Sequence, residues 1–437
     1  MPQPQFSQQA AKLQHLLDHV SPLLARQSGF VKRHSKLTGD IFIKSLVLGW
    51  LKHPTASLST LTQQAAELGV CLSPQGLAQR FNPATVAYTQ ALFAQALQSM
   101  QTQDLVNIPL LTQFTGVYLL DSTSITLPSA LQNTWAGCGG PGAKAGLKMH
   151  LTFEYLRGQI SAIDLTDSKR SDRLYAPPQV PVGSLHLFDL GYFKLETFER
   201  LDQQQAFFIS RLRSGSVLSS APGQKPLDVA ALCQSFSGDE YECRLWVGAK
   251  ARLGVRVLFR RCPTAVADER RRKAHAAAKR KGWNCSAKHL ALLDWNIFIT
   301  NVPEERLSLA QVLQIYPLRW QIELLFKLCK SQLGLDQVRG CGEHRILTQL
   351  YIRLLLCVVL CHVSAPLRLV QQHELSLPKA LMLLSGYAER LMRCCQRSWT
   401  SLPRLLSRFA RDLTRFCQKT RRKTCPSTLA KLTAYNA

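Results

Sequence analysis

The stretch VYLLDST, residues 117–123, decides how the rest of the chain is read. A short apolar run ends in Asp121 and is bounded by polar residues, the pattern of a strand buried on both faces. SLHLFDLGYF, residues 184–193, repeats the pattern and places Asp189 at its end. Between the two, LKMHLTFEYL (147–156) and QISAIDLT (159–166) read as strands, with Arg157 and Gly158 as a hairpin turn. A helix is expected from about residue 192 to 204, then a strand in QAFFISRLR, 205–213. The order is strand, hairpin, strand, helix, strand, which predicts an α/β core.

A carboxylate at the end of a buried strand is poorly solvated. It needs hydrogen bonds, a cation or a metal to stay charged. A lone Asp there can simply cap a turn. Two at matching places are harder to read that way.

The third piece is YPLRWQIELLFKLCK, residues 316–330. Pro317 suits a helix start and Gly334 a stop. At 100° per residue, Tyr316, Arg319, Glu323 and Lys330 fall within a stripe of about 60°. Leu318, Ile322, Leu325, Phe326, Cys329 and Leu333 take the opposite side. Glu323 is then either a metal ligand beside two cations or the partner of Arg319 in an i,i+4 ion pair. Three carboxylates, Asp121, Asp189 and Glu323, suffice for two Mg²⁺ ions, which prefer oxygen ligands and keep waters. Such a pair of ions suits phosphoryl transfer.

Charge points the same way. The 437 residues carry 54 Lys+Arg against 28 Asp+Glu, a net +26, so a polyanion is the expected partner. Hydrophobic residues make up 46%, which excludes a disordered chain. The fourteen cysteines show no CxxC pair and no zinc-like spacing, and read as reduced thiols of a cytosolic protein. MPQPQFSQQA has no signal-peptide form. The apolar run from Leu350 is short and contains Arg353, so it reads as a core helix.

Residues 1–105 read as a helical DNA-binding domain. Residues 57–82 have a helix-turn-helix look, with Gly69 at the turn and Ser73-Pro74 opening the second helix. Gln75, Gln79 and Arg80 then face DNA, or the pair is an ordinary part of a bundle. The core is expected at 106–213 and 291–345, with a β-rich insertion at 214–290. That insertion carries ADERRRKAHAAAKRKGW (267–283), a basic helix for phosphates or for solvent. Residues 346–437 read as a helical region and a candidate dimer contact. An RRK run at 421–423 is a second phosphate candidate.

These residues resemble a known family. The spacing Y-x2-R-x3-E-x6-K at Tyr316, Arg319, Glu323 and Lys330 is similar to the signature of bacterial insertion-sequence DDE transposases of the Tyr-Arg-Glu-Lys group. Asp121 in LLDST and Asp189 in D-x-G-Y-F stand where that family has its catalytic aspartates. The resemblance implies a ribonuclease-H-like core with a largely β insertion. It implies cutting at terminal inverted repeats and joining of 3′-hydroxyl ends to target DNA, with Mg²⁺ or Mn²⁺ as cofactor. It also implies double-stranded DNA as partner, a homodimer in the DNA complex, and a cytoplasmic, nucleoid-associated bacterial protein. Trp295, twenty-one residues before Tyr316, stands where relatives stack a Trp on a flipped base; the other reading is a core Trp. Lys148, His150 and Arg211 join Tyr316, Arg319 and Lys330 as candidate DNA contacts. Asp164, Asp167, Asp172 and Asp294 are rival acids, with Asp172 the runner-up for a metal contact.

Overall fold

The computed structural model describes residues 3–33, 35–101, 106–139, 144–175, 177, 180–249, 252–338, 340, 342–367, 374–397, 399–419, 430 and 432. The RRK run at 421–423 lies outside them. Six helices come first: α1 (Gln3–Gln14), α2 (Ser21–Gln27), α3 (Gly39–Lys52), α4 (Leu58–Glu67), α5 (Pro74–Ala78) and α6 (Pro83–Ser99). Next are β1 (Val117–Leu127), β2 (Ala145–Glu154), β3 (Gln159–Asp167), β4 (Leu185–Phe188), α7 (Leu195–Gln203) and β5 (Phe207–Arg211). Then follow β6 (Leu218–Ser219), α8 (Val229–Gln234), β7 (Glu240–Val247), β8 (Leu253–Arg261), α9 (Thr264–Arg280), α10 (Ala287–Leu292) and β9 (Trp295–Thr300). The chain continues through α11 (Leu309–Ile315), α12 (Trp320–Ser331), α13 (Glu343–Ser364), α14 (Leu377–Gly386), α15 (Ala388–Arg397) and α16 (Leu402–Phe416).

Two compact units result. One holds Met1–Asn107, Ser122–Arg170 and Trp320–Lys431; the other holds Ile108–Asp121, Ser171–Arg319 and Leu432–Ala437. The second unit is built on a mixed sheet. The first half of β1 pairs parallel with β4, and β4 pairs parallel with β5. β9 then joins β5 antiparallel, followed by β8, β7 and β6. All four residues of β4 are buried, which explains its unbroken apolar sequence. Phe198 of α7 stacks on Phe208 of β5 at 4.5 Å, within a core that also takes Phe188, Val257 and Ile299. The inserted strands β7 and β8 therefore extend the core sheet through β9.

The first unit contains the β2–β3 hairpin in antiparallel register, with Gly158 at φ +67° in its turn. A left-handed residue there is why glycine follows Arg157. Helices α1 to α6 and α12 to α16 make up the rest of this unit. α13 has 22 residues, and 83% of its most apolar window is buried inside the protein. The segment read as a core helix is one. The mixed α/β architecture is as the sequence predicts.

Local chemistry explains several boundaries. Ser57 accepts from Thr60 N at 3.2 Å and Ser73 from Gly76 N at 3.0 Å, so each caps a helix. Gly69 takes φ +84° between α4 and α5. Gln75 and Gln79 are exposed, but α5 has only five residues. Two expected helices differ. A 3₁₀ turn at Leu190–Tyr192 precedes α7, and another at Tyr316–Arg319 separates α11 from α12. Pro317 has no N–H to donate and so interrupts the α pattern.

Two buried histidines make stability depend on pH. Burial foremost, then the Arg200 charge, pushes His186 down to about 3. Burial also lowers His362 to about 4, although its ring lies 2.9 Å from Met100 O. In the unfolded chain both titrate near 6.5. Below that pH the unfolded chain takes up protons that the folded chain refuses, so stability falls as pH drops from about 6.5 toward 4. Each group contributes a slope of about 1.4 kcal/mol per pH unit. Denaturant unfolding of His186→Phe between pH 7 and 5 is expected to lose one such increment. A slope equal to wild type would contradict it.

Candidate active site

Asp121 and Asp189 are brought together by strand register. Leu120 of β1 is the Cα partner of Phe188 of β4 in a parallel pair, and each Asp is the next residue. Neighbouring strands lie about 4.8 Å apart, so two carboxylates leave the sheet side by side. Their repulsion is offset by Arg319. Its Nη1 donates to Asp121 Oδ2 at 2.8 Å, and its Nη2 lies 3.6 Å from Asp189 Oδ1. The first is a charge-assisted hydrogen bond; the second is an ion pair beyond hydrogen-bond range. Arg319 is only 7% exposed, whereas the Asp189 side chain is 40% exposed. Asp189 also caps the following 3₁₀ turn, accepting from Gly191 N at 3.4 Å. The expected phosphate role of Arg319 gives way here to that of the cation between two acids.

Tyr316 lies beneath this arrangement. Its hydroxyl donates to Phe188 O at 3.1 Å, the carbonyl just before Asp189. Burial, above all, pushes the phenol up to about 12. Its ring meets Phe298 edge-on at 4.9 Å. The buried phenol thus fixes the end of β4. Arg211, half-buried, ends β5 one position beyond the Phe188↔Ser210 pair, level with Asp189.

Glu323, Lys330, Lys148 and His150 belong to the other compact unit. Glu323 and Lys330 are half-buried on α12, with Glu323 four residues after Arg319. Lys148 Nζ donates to Arg170 O at 2.6 Å. His150 is 1% exposed within the hairpin, with Nε2 3.2 Å from Thr166 Oγ1. Trp295 is 5% exposed, meets Phe236 edge-on at 5.5 Å and has the Arg261 guanidinium over its ring at 4.8 Å. The large exposed aromatic that sequence reasoning missed is Trp320, 60% exposed and next in sequence to Arg319. Only the polar stripe drew attention there, which is why it was passed over.

The rival acids separate clearly. Asp294 pairs with Arg271. Asp167 accepts from the backbone of Lys169 and Arg170 at 3.0 and 3.1 Å and so caps a turn. Asp164 is exposed on β3. Asp172 differs. A Cβ on Gly191 would lie 3.2 Å from its Oδ2, so its carboxylate reaches the turn that Asp189 caps.

Among the described residues, no three His, Cys, Asp or Glu are gathered as a ready metal cluster. The donor chemistry of the pair nevertheless fits a hard divalent cation. Two carboxylates on adjacent strands, Asp121 within β1 (which runs on to Leu127, contrary to the expected strand end) and Asp189 just past β4, already share one positive group, Arg319.

Comparison with known proteins agrees. The Transposase DDE domain family matches residues 112–360. The transposase for insertion sequence element IS231B of Bacillus thuringiensis subsp. berliner is 28% identical over 432 residues, covering 92% of this chain and 89% of that one. The transposase for IS1151 of Clostridium perfringens is 29% identical over 399 residues, covering 84% and 83%. Among solved structures, a piggyBac transposase synaptic complex with hairpin DNA aligns at TM-score 0.46 and 10% identity, over 95% of this chain and 86% of that one. With more than half of its length matched by the family, and Asp121 and Asp189 paired inside the matched region, this chain belongs to the DDE transposase family.

Proposed function

We propose that this protein is an insertion-sequence transposase that cuts double-stranded DNA at terminal inverted repeats and joins the freed 3′-hydroxyls to target DNA. The observation that carries the reading is the Asp121–Asp189 pair, set by parallel register and held by Arg319. Asp121, Asp189 and Glu323 would hold two Mg²⁺ ions, with Mn²⁺ able to substitute. When bound, the ions supply positive charge at the attacking and leaving oxygens of an in-line displacement.

The protein's own groups do the rest. Arg319 keeps the two acids together against their repulsion. Tyr316 fixes the end of β4 and with it the aim of Asp189. Arg211, Lys330 and Lys148 offer cations to flanking phosphates. Two DNA ends must meet, so a homodimer assembles on DNA, and the protein works in the bacterial cytoplasm, where that DNA lies.

The test uses purified protein and a fragment carrying the element's own terminal repeats, with Mg²⁺, Mn²⁺ or chelator. Cutting at the repeat boundary with either metal, followed by joined products when target DNA is added, is expected. Cutting without joining would reduce the reading to a nuclease. A gel shift with no cutting under any metal would leave a DNA-binding protein only.

A further inference from the structure

A cavity of about 590 Å³ opens in the compact unit that holds Asp121 and Asp189. Its walls include Arg173, Lys194 and Arg213, with Leu174, Ser214 and Ser216 between them. Each cation is tied in sequence to the site. Arg173 follows Asp172, Lys194 lies five residues after Asp189, and Arg213 lies two after Arg211. The volume falls within the range of ordinary ligand-sized clefts, roughly 300–1,000 Å³.

Among the described residues, these cations are gathered around one cavity without an ion pair of their own, whereas several other arginines of the unit are paired. In this unit Arg252 binds Glu196 and Glu199, Arg256 binds Glu242, and Arg271 binds Asp268 and Asp294. Arg173, Lys194 and Arg213 have no carboxylate within ion-pair range among the described residues. The one acid in the wall, Glu196, is held by Arg252 at 2.9 Å; a backbone hydrogen bond first, then Arg252 and, least, the charge of Lys194 keep its carboxyl below the usual range. Three cations outside any ion pair, facing one acid that Arg252 already holds, leave a positive field around the cavity. Serine hydroxyls at a turn, where Gly215 takes φ +82°, add neutral donors. Leu174, 62% exposed, adds an apolar surface of the kind a sugar or base face covers.

We infer that this cavity binds the sugar-phosphate backbone of the DNA strand a few nucleotides from the reacting phosphate. The inference rests on the transposase reading and adds a phosphate site that the signature residues do not include. The cavity lies beyond the carboxyl ends of β4 and β5, the side on which open α/β sheets take ligands. Cations there hold the strand in register; they do not touch the reacting atoms.

The test is read without divalent metal, so it does not depend on cutting. Binding of a terminal-repeat duplex is measured against salt for wild type and for Arg173→Gln/Lys194→Gln/Arg213→Gln, whose fold is checked by circular dichroism. Phosphate-ethylation interference is mapped on the same duplex. The slope of log K against log salt is expected to shrink by about 2–3, at roughly 0.9 per lost phosphate contact. Two or three ethylated phosphates near the repeat end should lose their effect in the variant. An unchanged slope overturns the inference, as does a smaller slope with the interference map intact, since that is bulk charge alone. Inorganic pyrophosphate is the second probe. If it stabilises wild type but not the variant while the DNA slope is equal, the cavity is a small-anion site and the DNA assignment fails. If the triple variant does not fold, Arg173→Gln and Lys194→Gln singly must each lower the slope by about 1. Failure of the transposase reading shows elsewhere, as absent cutting by wild type with metal.

Discussion

Asp121→Asn is expected to abolish metal-dependent cutting, with a loss on the order of 10³-fold or more, comparable to removal of a principal charge-stabilising group. Asn keeps the shape but loses the charge. It still accepts a hydrogen bond from Arg319, so the fold and repeat binding should persist. Asp189→Asn and Glu323→Gln should behave alike if, as proposed, the three acids hold the same ions, and their effects should then not add. The measurement is the single-turnover cutting rate at saturating Mg²⁺, beside a gel shift without metal. A variant that binds and cuts within tenfold of wild type would remove its residue from the site.

The second large effect is structural. Arg353 lies in the middle of α13 and is 1% exposed. It donates to Gly334 O and, at 2.7 Å, to Pro54 O, with its guanidinium 5.8 Å from the Trp50 ring centre. One buried cation thus ties the turn after α12 and the end of α3 to the central helix. Gly334 takes φ +65° in that turn, and a Cβ there would lie 3.4 Å from Arg353 Nη1. Arg353→Met fills much of the space but leaves the part-buried Pro54 O without this donor and Gly334 O with Gln337 N, and a carbonyl left without its donor costs about 1–3 kcal/mol. The expected loss is about 1–3 kcal/mol, read as a lower denaturant midpoint at unchanged m-value. An unchanged midpoint would show that water or a neighbour replaces the guanidinium.

Much of this arrangement can be read before any coordinates. The β2–β3 hairpin follows from two apolar runs about a glycine turn, and Asp189 from its place at the end of a buried strand, whereas β1 runs on past Asp121 through the polar DSTS. Local patterns carry that information. Side-chain direction within a doubly buried strand is not local, because both faces look alike in sequence. Hence His150 and Trp295 suggested DNA contacts and lie in the core. Arg319 and Tyr316 looked like a polar helix stripe. A wheel cannot show that a 3₁₀ turn at Pro317 sets Arg319 against Asp121 within β1 and Tyr316 against the end of β4. The extension of the sheet by β7 and β8 depends on pairing with β9, some forty residues on, which no window reveals. The cavity cations Arg173, Lys194 and Arg213 come from three separate loops and stand out only once their lack of acidic partners is seen.

The central claim is that Asp121 and Asp189 are metal ligands in a DNA-cutting site. The most direct measurement is the cutting of a terminal-repeat fragment by Asp121→Cys and Asp189→Cys in Mg²⁺ and in Mn²⁺. A thiolate is a poor ligand for Mg²⁺ and a better one for Mn²⁺. Cutting that is lost in Mg²⁺ and partly restored in Mn²⁺, beyond any gain Mn²⁺ gives wild type, is the predicted result. Cutting by either variant in Mg²⁺ at the wild-type rate, or equal silence in both metals from protein that is folded and binds the repeat, would contradict it.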